Sequence, residues 1–290
     1  MKNRIQLSLL LFMFLIVTMC NAQQDFQGEA TYKTLTKFDI NLDEDDSKSA
    51  IKSSSISPEI RKQLRDQLKK GSQQTYTLSF DKEQSLYKKE EQLSTPQPNS
   101  SGIRISFSGG AGDILYKNTK ENRYTNQNEV FSKVFLIQDE LEKHEWKLED
   151  ETKNIGQYTC FKATKTITRT VNVGGVSFSF NSNKDDEEKK PETREEEITV
   201  VAWYTPQIPV STGPDIYHGL PGLILEVNDG RTTTICSKVV LNPNGKKGIK
   251  EPKSGKKVNQ KEYDEIVEKR TEEQRKQFST GGGRIFSTGG

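Results

Sequence analysis

Apolar and polar residues alternate along most of this chain in short runs, and the runs end at turn-forming residues. Gln27 to Ile40 alternates β-branched and aromatic residues with polar ones and predicts a first strand. Further strands are expected at Thr75–Phe80, Gln84–Glu90, Ile103–Phe107, Ile114–Asn118, Arg123–Gln127 and Lys133–Ile137. The series continues at Glu145–Glu149, Tyr158–Lys165, Val171–Asn181, Ile198–Tyr204, Leu223–Val227 and Thr232–Leu241. Such short spacing predicts a mainly β (α+β) fold built on a curved antiparallel sheet or half-barrel. Turns are expected at Asp81-Lys82-Glu83, at Asn172 to Gly175 and at Asn228-Asp229-Gly230. The last is read as a tight primed hairpin turn, because Asp-Gly supplies positive φ angles.

Two helices interrupt this pattern. Ser57 is a good N-cap, Pro58 suits the first helical position, and Ile60, Leu64 and Leu68 form one apolar stripe ending at Gly71. This helix, 57–70, is expected to pack on the concave face of the sheet. A second, over Asn259–Phe278, presents only Tyr263, Ile266 and Val267 and predicts a weakly docked surface helix. Polar inserts at 94–112 and 183–197 read as loops, the second a solvated hairpin tip with eight acids against four bases. Calcium capture by Asp185 to Glu188 is disfavoured, because the spacing of a calcium loop is missing. A Gly-rich segment, 279–290, is expected to be unstructured.

The first 22 residues change the picture of where the chain works. Lys2 and Arg4 precede an apolar run from Ile5 to Met19, which suits a signal peptide and is short for a spanning helix. Cleavage is expected after Ala22, with lipidation at Cys20 as the rival. The implied compartment is the periplasm or cell envelope, and 23–278 would form one domain. Lys2 and Arg4 account for the whole excess of 43 basic over 41 acidic residues. The exported chain is therefore neutral and no nucleic-acid partner is expected. From Asn242 onward 12 Lys/Arg face seven acids, so that region could touch anionic membrane weakly. Cys160 and Cys236 are candidates for one disulfide, with two buried thiols as the plain alternative.

Candidate chemistry concentrates in Ala202 to Val227, AWYTPQIPVSTGPDIYHGLPGLILEV. Pro209 and Pro214 stiffen the connection. Gly219-Leu220-Pro221-Gly222 reads as a type II turn, with Pro221 setting φ and Gly222 taking the positive φ. Leu223-Ile224-Leu225 then enters the core. The block is either a rigid corner or a recognition surface in which Trp203, Tyr204, Pro214, Tyr217, Leu220 and Pro221 face a ligand or partner. No nucleophile elbow, zinc-protease motif or phosphate loop occurs. Pairings of Cys160 with His144, or Asp215 with His218, lack the third group that catalysis needs. No cofactor and no metal site are expected.

Gly219 to Ile224 spell GLPGLI, and with Trp146, the Tyr158–Ala163 segment YTCFKA, Trp203-Tyr204, Gly213-Pro214 and Tyr217 the chain resembles the GLPGLI family of Bacteroidetes exported proteins. That resemblance implies export and carries over no catalytic residue. At the level of fold the chain is also similar to LolA/LolB-like lipoprotein carriers, which implies a half-barrel over an apolar cavity. The expected function is a non-enzymatic envelope protein that binds an apolar or lipidic ligand or an envelope protein. The alternatives are an interaction module of a cell-surface assembly, and a hydrolase or protease-accessory activity.

Overall fold

The computed structural model describes residues 26–37, 72–90, 114–172, 193–243 and 248–281, together with Lys62, Arg65, Asp66 and Lys69. Twelve strands form one sheet. The first six are β1 (Gln27–Thr36), β2 (Gln73–Asp81), β3 (Gln84–Lys89), β4 (Ile114–Asn118), β5 (Arg123–Val130) and β6 (Lys133–Glu140). The rest are β7 (Lys147–Ile155), β8 (Tyr158–Asn172), β9 (Thr193–Thr205), β10 (Leu223–Asn228), β11 (Thr232–Leu241) and β12 (Lys256–Val258). Helix α1 spans Gln260–Gly281. The spatial order is β12-β6-β5-β4-β3-β2-β1-β11-β10-β9-β8-β7. Every pairing is antiparallel except β12 with β6, which is parallel. The mainly β class expected from alternation is therefore present as one curved mixed sheet.

The connectivity explains the curvature. β6 and β7 are consecutive in the chain but lie ten strand spacings apart in the sheet, about 48 Å if the sheet were flat. The link from Glu140 to Lys147 can reach only about 25 Å at full stretch. The sheet must therefore curl until its two halves approach. Following the register, Tyr32, Leu78, Tyr87, Leu115, Lys117 and Tyr124 share one face. Through Cys236 and Thr234, the same face continues to Val227, Ala202 and Ala163. These residues are buried apart from partly exposed Tyr124, and this is the inner face.

The connection from β9 to β10, residues 206–222, fills the interior. Ile208, Val210, Tyr217 and Leu220 are buried. Gly213 and Gly222 permit its close approach: a Cβ on Gly222 would stand 2.2 Å from the Thr205 carbonyl oxygen, and one on Gly213 2.6 Å from Ile224. The GLPG turn differs from the expected type II form. Its positive φ, 92°, belongs to Gly219, and Gly222 has none. The Gly222 N–H donates to the Leu220 carbonyl (2.9 Å), a three-residue turn whose centre suits the fixed φ of Pro221. The β10–β11 hairpin also differs from a two-residue primed turn. Only Gly230 is left-handed, and Asp229 Oδ1 accepts from Arg231 and Thr232 N–H, which holds a wider loop. At Asp81 the expected turn is present, with its carboxylate accepting from Glu83 and Gln84 N–H.

Strand lengths depart from expectation where charges obscured the alternation. β7 runs on through acidic residues to Ile155. β8 continues to Asn172, absorbing the start of the strand expected at Val171–Asn181. β9 begins at Thr193, inside the segment expected as a hairpin tip. The strand expected at Ile103–Phe107, the turn at Asn172 to Gly175 beyond its first residue, the 94–112 insert and the leader lie outside the described residues. So does the apolar stripe of the 57–70 helix, although Lys62, Arg65, Asp66 and Lys69 are helical and exposed. β12 was not expected. It rests beside β6, and Gly255, at φ 129°, allows the backbone to pass within van der Waals contact of Phe135. α1 starts at a reciprocal cap, Asn259 Oδ1 accepting from Glu262 N–H and Glu262 Oε2 from Asn259 N–H. Its Tyr263 ring packs edge-on to Phe135 at 5.5 Å, and the helix runs three residues into the expected Gly-rich tail.

Cys160 and Cys236 are not bridged. They lie on β8 and β11, with β9 and β10 between them, and both are buried thiols. Burial pushes both up to about 11. Both should react with a thiol reagent only after denaturation, without a reductant; one blocked pair in that assay would contradict the arrangement.

Candidate functional site

The site is assembled around a lysine on a strand. Lys117 follows Leu115 on the inner face of β4, and its side chain is fully buried. Its ammonium donates to the carbonyls of Gly213 (2.8 Å), Asp215 (2.5 Å) and Tyr217 (3.1 Å). Burial pushes this group down to about 7, opposed by the Asp215 charge. Three carbonyl acceptors match the three N–H bonds of an ammonium, whereas a neutral amine has only two. The geometry therefore fits the charged form. Beside it, the Ser85 and Thr212 hydroxyls pair at 2.9 Å. Asp215 adopts a left-handed φ of 51°, which aspartate tolerates better than most residues.

The link between β6 and β7, residues 141–146, closes over the 213–219 segment. Trp146 Nε1 donates to the His218 carbonyl (2.8 Å). The Ile216 carbonyl accepts from both His144 Nε2 (3.1 Å) and His218 Nδ1 (2.9 Å). Lys165 Nζ donates to His144 Nδ1 (2.9 Å) and lies over the rings of Trp146 and Tyr217. These partners define the tautomers: His144 carries its proton on Nε2, and His218 carries its proton on Nδ1. The rings lie 4.6 Å apart. Burial pulls both imidazoles down to about 4, with the Ile216 carbonyl opposing and the Lys165 and Lys117 charges adding to the depression.

A cavity of about 390 Å³ opens between this link, β4–β6 and the start of α1. Leu115, Leu141, Tyr124 and Ile216 form its apolar wall, and Ile216 is 50% exposed at the mouth. Asn126, Asp139, Glu140, Glu142, His144 and His218 supply polar groups. A wider groove of about 710 Å³ lies alongside. Its Arg123 is engaged by Glu251 (2.7 Å) and Glu121 (2.5 Å).

Of the residues expected to form a recognition surface, Tyr204, Tyr217 and Leu220 are brought together in one buried cluster, and the set does not share an exposed face. Trp203 and Tyr204 point to opposite faces, and Trp203 stacks under Lys153 Nζ at 4.3 Å. Tyr204, Pro214, Tyr217 and Leu220 are buried in the core, while Pro221 is exposed. The Cys160–His144 pairing is not made: Cys160 Sγ approaches the Tyr158 carbonyl, and both His144 nitrogens are otherwise engaged. His218 meets a carbonyl through Nδ1 and so lacks the carboxylate-oriented geometry of a general base. Among the described residues no cluster of three or more metal-ligating side chains occurs. Sequence reasoning missed Lys117, Lys165 and the 141–146 link. A lysine alternating with Leu115 on a core face was the available signal.

Comparison with known proteins agrees with the sequence resemblance over this part of the chain. The model of a family described as "Protein of unknown function (Porph_ging)", often called GLPGLI, matches residues 146–226. That span holds Trp146, Lys165 and the whole interior connection. No curated protein matches. A solved structure described as "Structure of PNGF-II in C2 space group" is 16% identical, with a TM-score of 0.45, covering 84% of this chain and 33% of that one. Its P21 crystal form gives the same values. The chain thus spans about a third of that protein's length. The likeness to LolA/LolB-like carriers is not shown by these comparisons.

Replacing Lys117 by Met should leave three interior carbonyls without their donor. At about 1–3 kcal/mol for each buried unsatisfied group, offset by relief of the buried charge, the net loss should be about 2–4 kcal/mol. Urea unfolding measures it, and an unchanged midpoint would contradict the clamp.

The histidines predict a pH dependence. Their folded-state values lie below the unfolded value of 6.5, so the unfolded chain binds more protons between pH 6.5 and about 4. Stability from this source is complete above pH 6.5 and falls as pH drops. The urea midpoint should decline from pH 7 to 5, and the His144→Gln/His218→Gln double variant should flatten that decline. An Asp215–His218 dyad would give the opposite sign.

Proposed function

We propose that this chain is a non-enzymatic exported envelope protein that binds a small ligand with an apolar part. The observation that carries the reading is the cavity beside the clamped 213–219 segment. It is concave, walled by leucine, tyrosine and isoleucine, and fixed by hydrogen bonds instead of being left to a loose loop. Among the described residues around it none pairs a nucleophile with a base: the hydroxyls of Ser85 and Thr212 bond each other, and both thiols are held up by burial. A volume of about 390 Å³ suits a small ligand better than the acyl chains of a lipoprotein. Export rests on the leader 1–22, with cleavage after Ala22 preferred to lipidation at Cys20.

An interaction module working through an exposed strand edge is less favoured. The β7 edge carries Lys147, Glu149, Asp150, Glu151 and Lys153, a charge pattern that discourages strand addition. Incubation of delipidated protein with an envelope extract, followed by native mass spectrometry, tests the binding reading. One small-molecule adduct per chain is expected, lost in Ile216→Arg, whose side chain stands exposed at the mouth. No adduct, or one indifferent to that change, would overturn it.

A further inference from the structure

We infer that the cavity takes a small organic cation, a primary ammonium carried on a short apolar body. This rests on the binding reading above and adds the ligand's chemical class. The reasoning follows from which polar groups around the cavity are already engaged. Apart from the Asn126 amide, each side-chain donor group of the lining is engaged at least once. The Lys117 ammonium has three carbonyl partners. His144 gives its Nε2 proton to Ile216, and His218 its Nδ1 proton to the same oxygen. The Tyr124 hydroxyl donates to Gln260 Oε1, and the Gln260 amide donates to Asp264. Lys165 stands behind His144, outside the lining, and is held by that ring and two aromatic faces.

The acceptors are in the opposite condition. Asn126 Oδ1 is buried with no hydrogen-bond partner among the described residues. The tautomer set by Ile216 leaves His218 Nε2 with an exposed lone pair directed away from that bond. The carboxylates of Glu140 and Glu142 make no ion pair within 4 Å among the described residues. Asp139 accepts from Glu140 N–H and Gln260 N–H, which fixes its place and leaves it a negative charge. A ligand that satisfies this lining must donate hydrogen bonds and carry positive charge, while Leu115, Leu141 and Ile216 require an apolar portion. An acid or a phosphate would meet acceptors at His218 Nε2 and at the carboxylates of Asp139, Glu140 and Glu142.

Calorimetry with n-hexylammonium, hexan-1-ol and hexanoate on the full chain from Gln23 tests this. Hexylammonium should bind about tenfold more tightly than hexanol, with hexanoate weaker than both. The exposed pair Glu140→Gln/Glu142→Gln should erase the preference for the amine and leave hexanol binding unchanged; both side chains are exposed and make no ion pair within 4 Å among the described residues, although the Glu142 charge acts on Lys165, and circular dichroism checks that the variant is folded. Equal binding of amine and alcohol, or preference for the acid, would overturn the cation assignment while leaving the pocket intact. Failure of all three probes to bind would overturn the pocket reading itself.

Discussion

A buried ammonium holding three backbone carbonyls is the interaction on which the rest of this structure depends. Lys117 stands on β4 and its acceptors on a connection that packs against β8 to β10, five to seven strand spacings away in the sheet. One side chain thus ties together the two halves of the curled sheet. Burying a charge is costly unless its hydrogen bonds are complete, and here all three are made. The carbonyls in turn belong to a segment with too few amide partners of its own to be buried otherwise. Charge and carbonyls each make the burial of the other tolerable.

The ordering of Gly213 to Gly219 then determines what stands on it. Ile216 projects its carbonyl toward two histidines and its side chain toward the cavity mouth. Trp146 reaches the His218 carbonyl and secures the short link between β6 and β7. The constraint of that link, about 25 Å of chain between strands that a flat sheet would hold about 48 Å apart, demands curvature. The clamp gives the curved sheet an interior to close upon.

Much of this fold was readable along the chain. Alternation located eleven of the twelve strands, because half-buried strands impose period two on their residues. It failed where a strand is exposed on both faces or very short: Glu149 to Ile155 of β7 and Lys256–Val258 carry charges where alternation would show. The GLPG turn was located correctly, but its glycines exchanged roles, since the need at Gly222 is close approach to Thr205 and only tertiary structure reveals that. The candidate site was read less well. Tyr204, Tyr217 and Leu220 looked like recognition residues because rigid aromatics suit both recognition and cores. Lys117 passed as an ordinary strand lysine, because its acceptors lie roughly a hundred residues away in the chain. Along the chain His144 suggested a pairing only with Cys160, and His218 only with Asp215, whereas the fold sets the two rings 4.6 Å apart.

The central claim is that Lys117 orders the 211–222 segment locally, beyond adding to global stability. Hydrogen exchange resolved by peptide, comparing the native chain with Lys117→Met under conditions where both remain folded, tests it most directly. The amides of Tyr217, Gly219 and Ile224, which bond to Pro214, Ser211 and Thr212, should lose protection while the β1–β2 ladder keeps its own. Unchanged protection across 211–224 in the variant would contradict the role assigned to the lysine.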